Sequence, residues 1–252
     1  MPGSWNGCGK MVDLNELEQV LAELADPEIA AHSARFFKTG KGEYGEGDTF
    51  LGIRVPQLRK LVPKCRQLPL TAVRDLLHSP LHEKRLVAAL ILVDRFKRGT
   101  VDEQEKIFTL YVKEIGSGIN NWDLIDTTCP HIVGAWLYKR DRSLLYRLAG
   151  SENLWQRRAA MLACFYFIRK EDFTDALKIA ALLVEDREDL IHKAVGWMLR
   201  ETGKRDQQAA EQFLQQHCAT MPRTMLRYAI ERFAPEKRKQ YMNCGKNKEG
   251  TK

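Results

Sequence analysis

Apolar residues recur along this chain at three- and four-residue intervals in segment after segment, while alternating apolar–polar runs are almost absent. Leu14, Leu17, Val20, Leu21 and Leu24 follow that spacing behind Asp13, which predicts an N-capped helix. Asp26-Pro27 predicts a second helix start, because proline is tolerated at the first helical position. Residues 41–49 (KGEYGEGDT) hold three glycines and read as a loop. Val55-Pro56 opens a helix that runs through Leu61. Further helical spacing covers 70–78, 81–97, 101–115 and 122–138, the last expected to break or bend near Pro130. Downstream helices are predicted over 144–149, 154–169, 173–184, 190–201, 207–217 and 222–233.

These helices are short, paired and closely linked. The pairs recur at roughly 35–45 residues, the period of HEAT-type repeats. The expected fold is all-α: a curved α-α superhelix whose concave face forms a groove. A flexible segment over 1–12, a helical-repeat domain over 13–235 and a basic tail over 236–252, at least partly disordered, complete the expected organisation.

Composition narrows the function classes. Hydrophobic residues make up 44% and charged residues 29%, an ordinary globular balance, and no apolar run is long enough to span a membrane. The N-terminus does not read as a signal peptide, so a cytoplasmic protein is expected. Six cysteines are scattered without a CxxC pair, several within apolar helical stretches, which argues against a disulfide framework or a zinc site. The net charge of +7 suits a polyanionic partner. Six Lys/Arg against two Glu over 236–252 place +4 of it in the tail, however, so the location of charge matters more than its sum.

Three places set tryptophan beside charge. In Asn121-Trp122-Asp123-Leu124-Ile125-Asp126, Trp122 and Asp126 are four apart and share a helix face, with Asn121 as a plausible cap. Trp155-Gln156-Arg157-Arg158 puts an arginine pair near a helix N-terminus, where cations are disfavoured unless they meet an anion. The segment from Ile191 to Glu201 contains Trp197 and a mid-helix glycine, Gly196, which requires a packing reason. Arg158 lies 32 residues after Asp126, and Trp197 lies 39 after Arg158. Those intervals approach one repeat each, so a carboxylate, a guanidinium and an indole are expected to line one groove.

With these motifs, and with Phe50-Leu51-Gly52-Ile53-Arg54-Val55-Pro56, the chain resembles the AlkD-like DNA alkylation-repair glycosylases from about Leu14 to Phe233. The resemblance implies that Asp126 is the catalytic carboxylate and that Trp122 and Trp197 cradle the sugar of the lesion. It implies that Arg158 contacts the DNA backbone, with the adjacent Arg157 as the alternative. Phe36 aligns with a cleft aromatic that is tyrosine in the best-known member, and Arg54 stands where that member has glutamine. Lys193 and Arg200, in the last motif, join the expected DNA contacts.

The implied reaction is hydrolysis of the N-glycosidic bond of cationic N3- or N7-alkylated purines, such as 3-methyladenine and 7-methylguanine, in duplex DNA. The base leaves neutral, and a fixed carboxylate stabilises the oxocarbenium-like sugar. No metal or cofactor is expected, and the protein is expected to act as a monomer. His78 and His82 are four apart, but Pro80 lies between them and no third ligand is near. Cys129-Pro130-His131 reads as a local turn rather than thiol chemistry. The competing reading is a non-catalytic helical-repeat protein that binds DNA structures or a protein partner through the same groove.

Overall fold

The computed structural model describes residues 13–244. The expected flexible segment over 1–12, and residues 245–252 of the tail expected over 236–252, lie outside the described residues. Among the described residues there is no strand, only two isolated bridges. The chain forms two compact units that meet at Leu124/Ile125.

The first unit contains α1 (Leu14–Glu23), α2 (Pro27–Phe36), α3 (Val55–Leu61), a 3₁₀ turn (Val62–Cys65), α4 (Leu70–Leu77), α5 (His82–Arg98) and α6 (Val101–Glu114). Its ends are specified locally. Asp13 accepts from Glu16 N at 2.9 Å, and Asp26 accepts from Glu28 N and Ile29 N with Pro27 in the first turn. Helix α5 is the axis of this unit: Leu86 through Val93 are all buried, and α3, α4 and α6 pack on it. Its second residue, Glu83, is buried and accepts from Leu51 N at 2.9 Å, Gly52 N at 2.8 Å and Ile53 N at 3.2 Å. That carboxylate fixes the loop before α3. Gly52 is required there, because its φ is +83° and a Cβ would lie 2.0 Å from the Asp26 carbonyl oxygen. The glycine-rich loop is also tied down, since Thr49 N donates to Pro80 O and His82 N donates to Thr49 O.

Helix α7 (Trp122–Cys129) carries the boundary between the units. The second unit continues with a π turn (Pro130–Gly134), where a bend was expected, and a short helix α8 (Ala135–Leu137). It then holds α9 (Ser143–Ala149), α10 (Leu154–Ile168), α11 (Thr174–Leu182), α12 (Asp189–Gly203), α13 (Gln207–His217), α14 (Arg223–Ala229) and α15 (Pro235–Met242). Helix α10 is its axis, buried over Arg158 to Cys164 and packed against α9, α11 and α12. Asn153 caps it, accepting from Trp155 N and Gln156 N. Gly196 has the packing reason its position demanded. A Cβ there would meet both Met225 O and Tyr228 Cβ at 2.5 Å, so the glycine lets α12 lie directly on α14.

One stretch differs from expectation. Residues 235–242, expected to begin a polar tail, form α15. Tyr241 packs on Phe233, Lys237 pairs with Glu211, and Cys244 is joined to Cys218 by a disulfide. The stretch lacks an apolar stripe, and these long-range ties supply what periodicity does not. No described helix is long and apolar enough to cross a membrane.

Candidate active site

In the first unit, Trp122 opens α7 and is half-buried. Asn121, fully buried, accepts from Trp122 N, the first N–H of the helix, at 2.8 Å. Phe37 stacks on the Trp122 ring, with centroids 5.3 Å apart and planes 16° from parallel. Phe36 meets the same ring edge-on at 5.9 Å and is 58% exposed, which leaves an aromatic surface open to solvent. Phe50 stacks on the remote side of Phe37 at 5.1 Å.

Beneath these rings lies an ionic cluster that reading the sequence missed. His82 is 2% exposed. Its Nε2 is 2.8 Å from Asp123 Oδ2, and its Nδ1 is 3.2 Å from Asp48 Oδ2. Arg85 Nη2 donates to Asp48 Oδ1 at 2.6 Å, and Asn121 Nδ2 donates to Asp48 Oδ2 at 3.0 Å. Burial alone would push the His82 pKa down. The charge and hydrogen bond of Asp123, with the hydrogen bond to Asp48, outweigh that and hold it at about 9. Both ring nitrogens therefore donate. The 3.4 Å approach of Arg85 Nη2 to His82 Nδ1 is then not a hydrogen bond; both groups point at Asp48. Burial also raises the Asp48 pKa, but His82, Arg85 and Asn121 more than reverse it, and the carboxyl sits below its usual range. Proline 80 does break the helix between His78 and His82, as expected. The useful signal was instead the placing of His82 at the head of a long apolar helix, where a charge needs a partner.

In the second unit, Asp126 lies one turn into α7, and Arg158 of α10 forks onto it. Nε donates to Oδ1 at 2.9 Å and Nη2 donates to Oδ2 at 2.8 Å, while Nη1 donates to the Leu190 carbonyl at the start of α12. Two residues 32 apart in sequence thus meet as a bidentate pair. Arg158 is buried, while the Asp126 side chain retains 13% of its exposure. The neighbouring Arg157, one helical step around α10, turns to Asp186 at 2.7 Å and to the Ser151 and Glu152 carbonyls.

Trp197 lies two turns along α12 from Leu190 and is half-buried, and its ring packs on Phe165 of α10 at 5.5 Å. Glu201 follows one turn further along the same helix, where Trp197 is among the groups that lower its pKa. Glu201 binds Lys204 at 2.6 Å and Arg205 at 3.3 Å. Burial raises its pKa, but these partners bring it below the usual value. The remaining expected contacts are dispersed. Arg54 is exposed at the head of α3, Lys193 pairs with Asp189 at 2.7 Å, and Arg200 pairs with Glu231.

The match to known proteins decides the family. Residues 17–233, most of the chain, fit the model of the DNA alkylation repair enzyme family. The chain belongs to that family. A structure described as a predicted DNA alkylation repair enzyme from Enterococcus faecalis shares the fold, with TM-score 0.68 and 21% identity over 84% of this chain and 97% of that one. The smu.31 structure from Streptococcus mutans aligns at TM-score 0.48 and 16% identity, over 92% of this chain and 96% of that one. Among proteins of curated function, none matches.

Proposed function

We propose that this family member is a DNA glycosylase that hydrolyses the N-glycosidic bond of cationic N3- and N7-alkylated purines in duplex DNA, leaving an abasic site. 3-Methyladenine and 7-methylguanine are the expected bases. The observation that carries the reading is the Asp126 carboxylate, fixed by the two-pronged Arg158 contact yet still reaching solvent.

The chemistry follows from charge. An alkylated purine is already a cation, so it departs neutral without a strong acid. As the C1′–N bond lengthens, positive charge moves onto the deoxyribose. Asp126 stabilises that charge and orients the water that adds to C1′. Arg158 removes the carboxylate's freedom to turn away. Three of its five N–H groups are used on Asp126 and Leu190, and one on each Nη is left for a backbone phosphate. Trp122 and Trp197 offer indole faces to the cationic sugar, and Phe36 offers an exposed ring to the DNA cleft. Arg54 contacts the backbone directly. Lys193 and Arg200 do so by exchanging a carboxylate for a phosphate. Arg157 contributes least, since it already serves Asp186 and two carbonyls. The protein acts on duplex DNA as a cytoplasmic monomer, without a metal or organic cofactor.

The test is incubation of the purified protein with methylated duplex DNA and chromatography of the free bases. The account expects release of 3-methyladenine and 7-methylguanine. Tight duplex binding without base release would contradict it and favour a non-catalytic scaffold.

A further inference from the structure

The buried cluster under Trp122 is costly to maintain. Four charged groups, His82, Arg85, Asp48 and Asp123, are removed from water where apolar side chains of similar volume would pack at no desolvation cost. What they obtain in return is register. Asp123 is the second residue of α7, and Asn121 immediately precedes that helix; both are tied to the same histidine–aspartate core. Trp122 lies between these two anchors, so its backbone is held on both sides.

The ring is held as well. His82 packs against Phe37 and Phe50, each with centroids 4.8 Å away, and Phe37 carries Trp122. The imidazole, the two phenyl rings and the indole thus form one contiguous set of ring contacts. Asp48 reaches the cluster because Thr49 bridges to the start of α5. The glycine-rich loop is thereby part of the device.

We propose that His82, clamped between Asp48 and Asp123, is a positioning residue for Trp122. It sets the start of α7 and the plane of the indole without touching substrate. The inference rests on the reading of Trp122 as part of a glycosylase site. Its first test, however, reads the indole directly.

The experiment uses the full chain. Of its five tryptophans, Trp122 is assigned in the ¹H–¹⁵N indole spectrum by comparison with Trp122→Phe. In His82→Gln, which keeps an amide donor but removes the charge, the Trp122 indole signal shifts or broadens while those of Trp136, Trp155 and Trp197 stay in place. Single-turnover release of 7-methylguanine at saturating enzyme falls about tenfold, and affinity for undamaged duplex changes by less than twofold. Asp48→Asn is the second variant, expected to move the same indole signal by a smaller amount.

A folded His82→Gln protein with an unmoved Trp122 signal and a wild-type excision rate would overturn the proposal. Loss of folding in both variants would also overturn it, since a positioning group is removable without loss of the fold. If the wild-type protein releases no base at all, the glycosylase reading falls. The indole spectrum alone then decides whether His82 sets Trp122.

Discussion

Two regions of the molecule each present an indole, and they hold it by different physics. Trp122 rests on a phenyl stack over a closed, buried ionic cluster whose members come from the 41–49 loop, α5 and α7. Trp197 rests on Phe165 and lies one turn before Glu201 of its own helix, a buried carboxylate whose cationic partners Lys204 and Arg205 are partly exposed. The first support is long-range and dry; the second is local and wet. Coulomb attraction is strong in the first case, but breaking one pair there strands the others without water. In the second, water replaces whatever is lost. The two supports should therefore respond very differently to mutation, pH and salt.

The largest contrast is expected from removing each keystone. His82→Ala removes the cation that Asp48 and Asp123 share and should cost about 3–5 kcal/mol in urea unfolding. Glu201→Ala frees partly exposed cations to hydrate and should cost about 1 kcal/mol. Equal losses would erase the distinction between the two supports.

A second contrast lies in pH. The folded-state pKa of His82, about 9, exceeds its ordinary value of 6.5. Its stabilisation is therefore complete below about pH 6.5 and disappears as pH rises through 9. The loss should approach about 3 kcal/mol across that window. The groups facing His82 are Asp48, Asp123, Arg85, Phe37 and Phe50, and the Asp48 carboxyl is held below its usual range. The pKa of Glu201 is lowered, so its contribution is present above 4.5 and is lost on acidification. Unfolding free energies measured from pH 6 to 10 should show an alkaline decline that His82→Gln removes and Glu201→Ala keeps. A decline unchanged in His82→Gln would assign it to another group.

The smallest contrast is in salt. Raising ionic strength to about 1 M shortens screening to roughly 3 Å and acts on exposed pairs first. The Trp197 indole signal should drift with salt while that of Trp122 stays fixed. The opposite pattern would reverse the assignment of wet and dry supports.

What the sequence revealed and what it hid follow the same division. Asp13, Asp26-Pro27, Asn121 and the spacing of leucines announce helix starts, because capping and periodicity are local properties. Asp126 and Arg158 could be expected to line one groove because repeated helical units place equivalent positions in line, but their direct ion pair was not read from the spacing. That regularity could not choose between Arg157 and Arg158, which differ by one helical step and face different acids. The His82 cluster was illegible for a stricter reason. Asp48 arrives through a loop without periodicity, held by the Thr49 bridge, and nothing local to Asp123 points to a histidine 41 residues earlier. Helix α15 was hidden for a similar reason, since its polar sequence is held by a disulfide, an ion pair and one ring contact.

The central claim is that Asp126 supplies the charge that breaks the glycosidic bond. The direct measurement is single-turnover release of 7-methylguanine by Asp126→Asn at saturating enzyme, beside its thermal unfolding and its affinity for undamaged duplex. Asparagine keeps the shape and one acceptor for Arg158, so folding should survive with a loss of about 1–3 kcal/mol. Binding should remain within a few-fold of wild type, and the excision rate should fall by at least about a hundredfold, the order expected when an electrostatic partner of the transition state is removed. A folded, DNA-bound Asp126→Asn protein that excises at near the wild-type rate would contradict the claim.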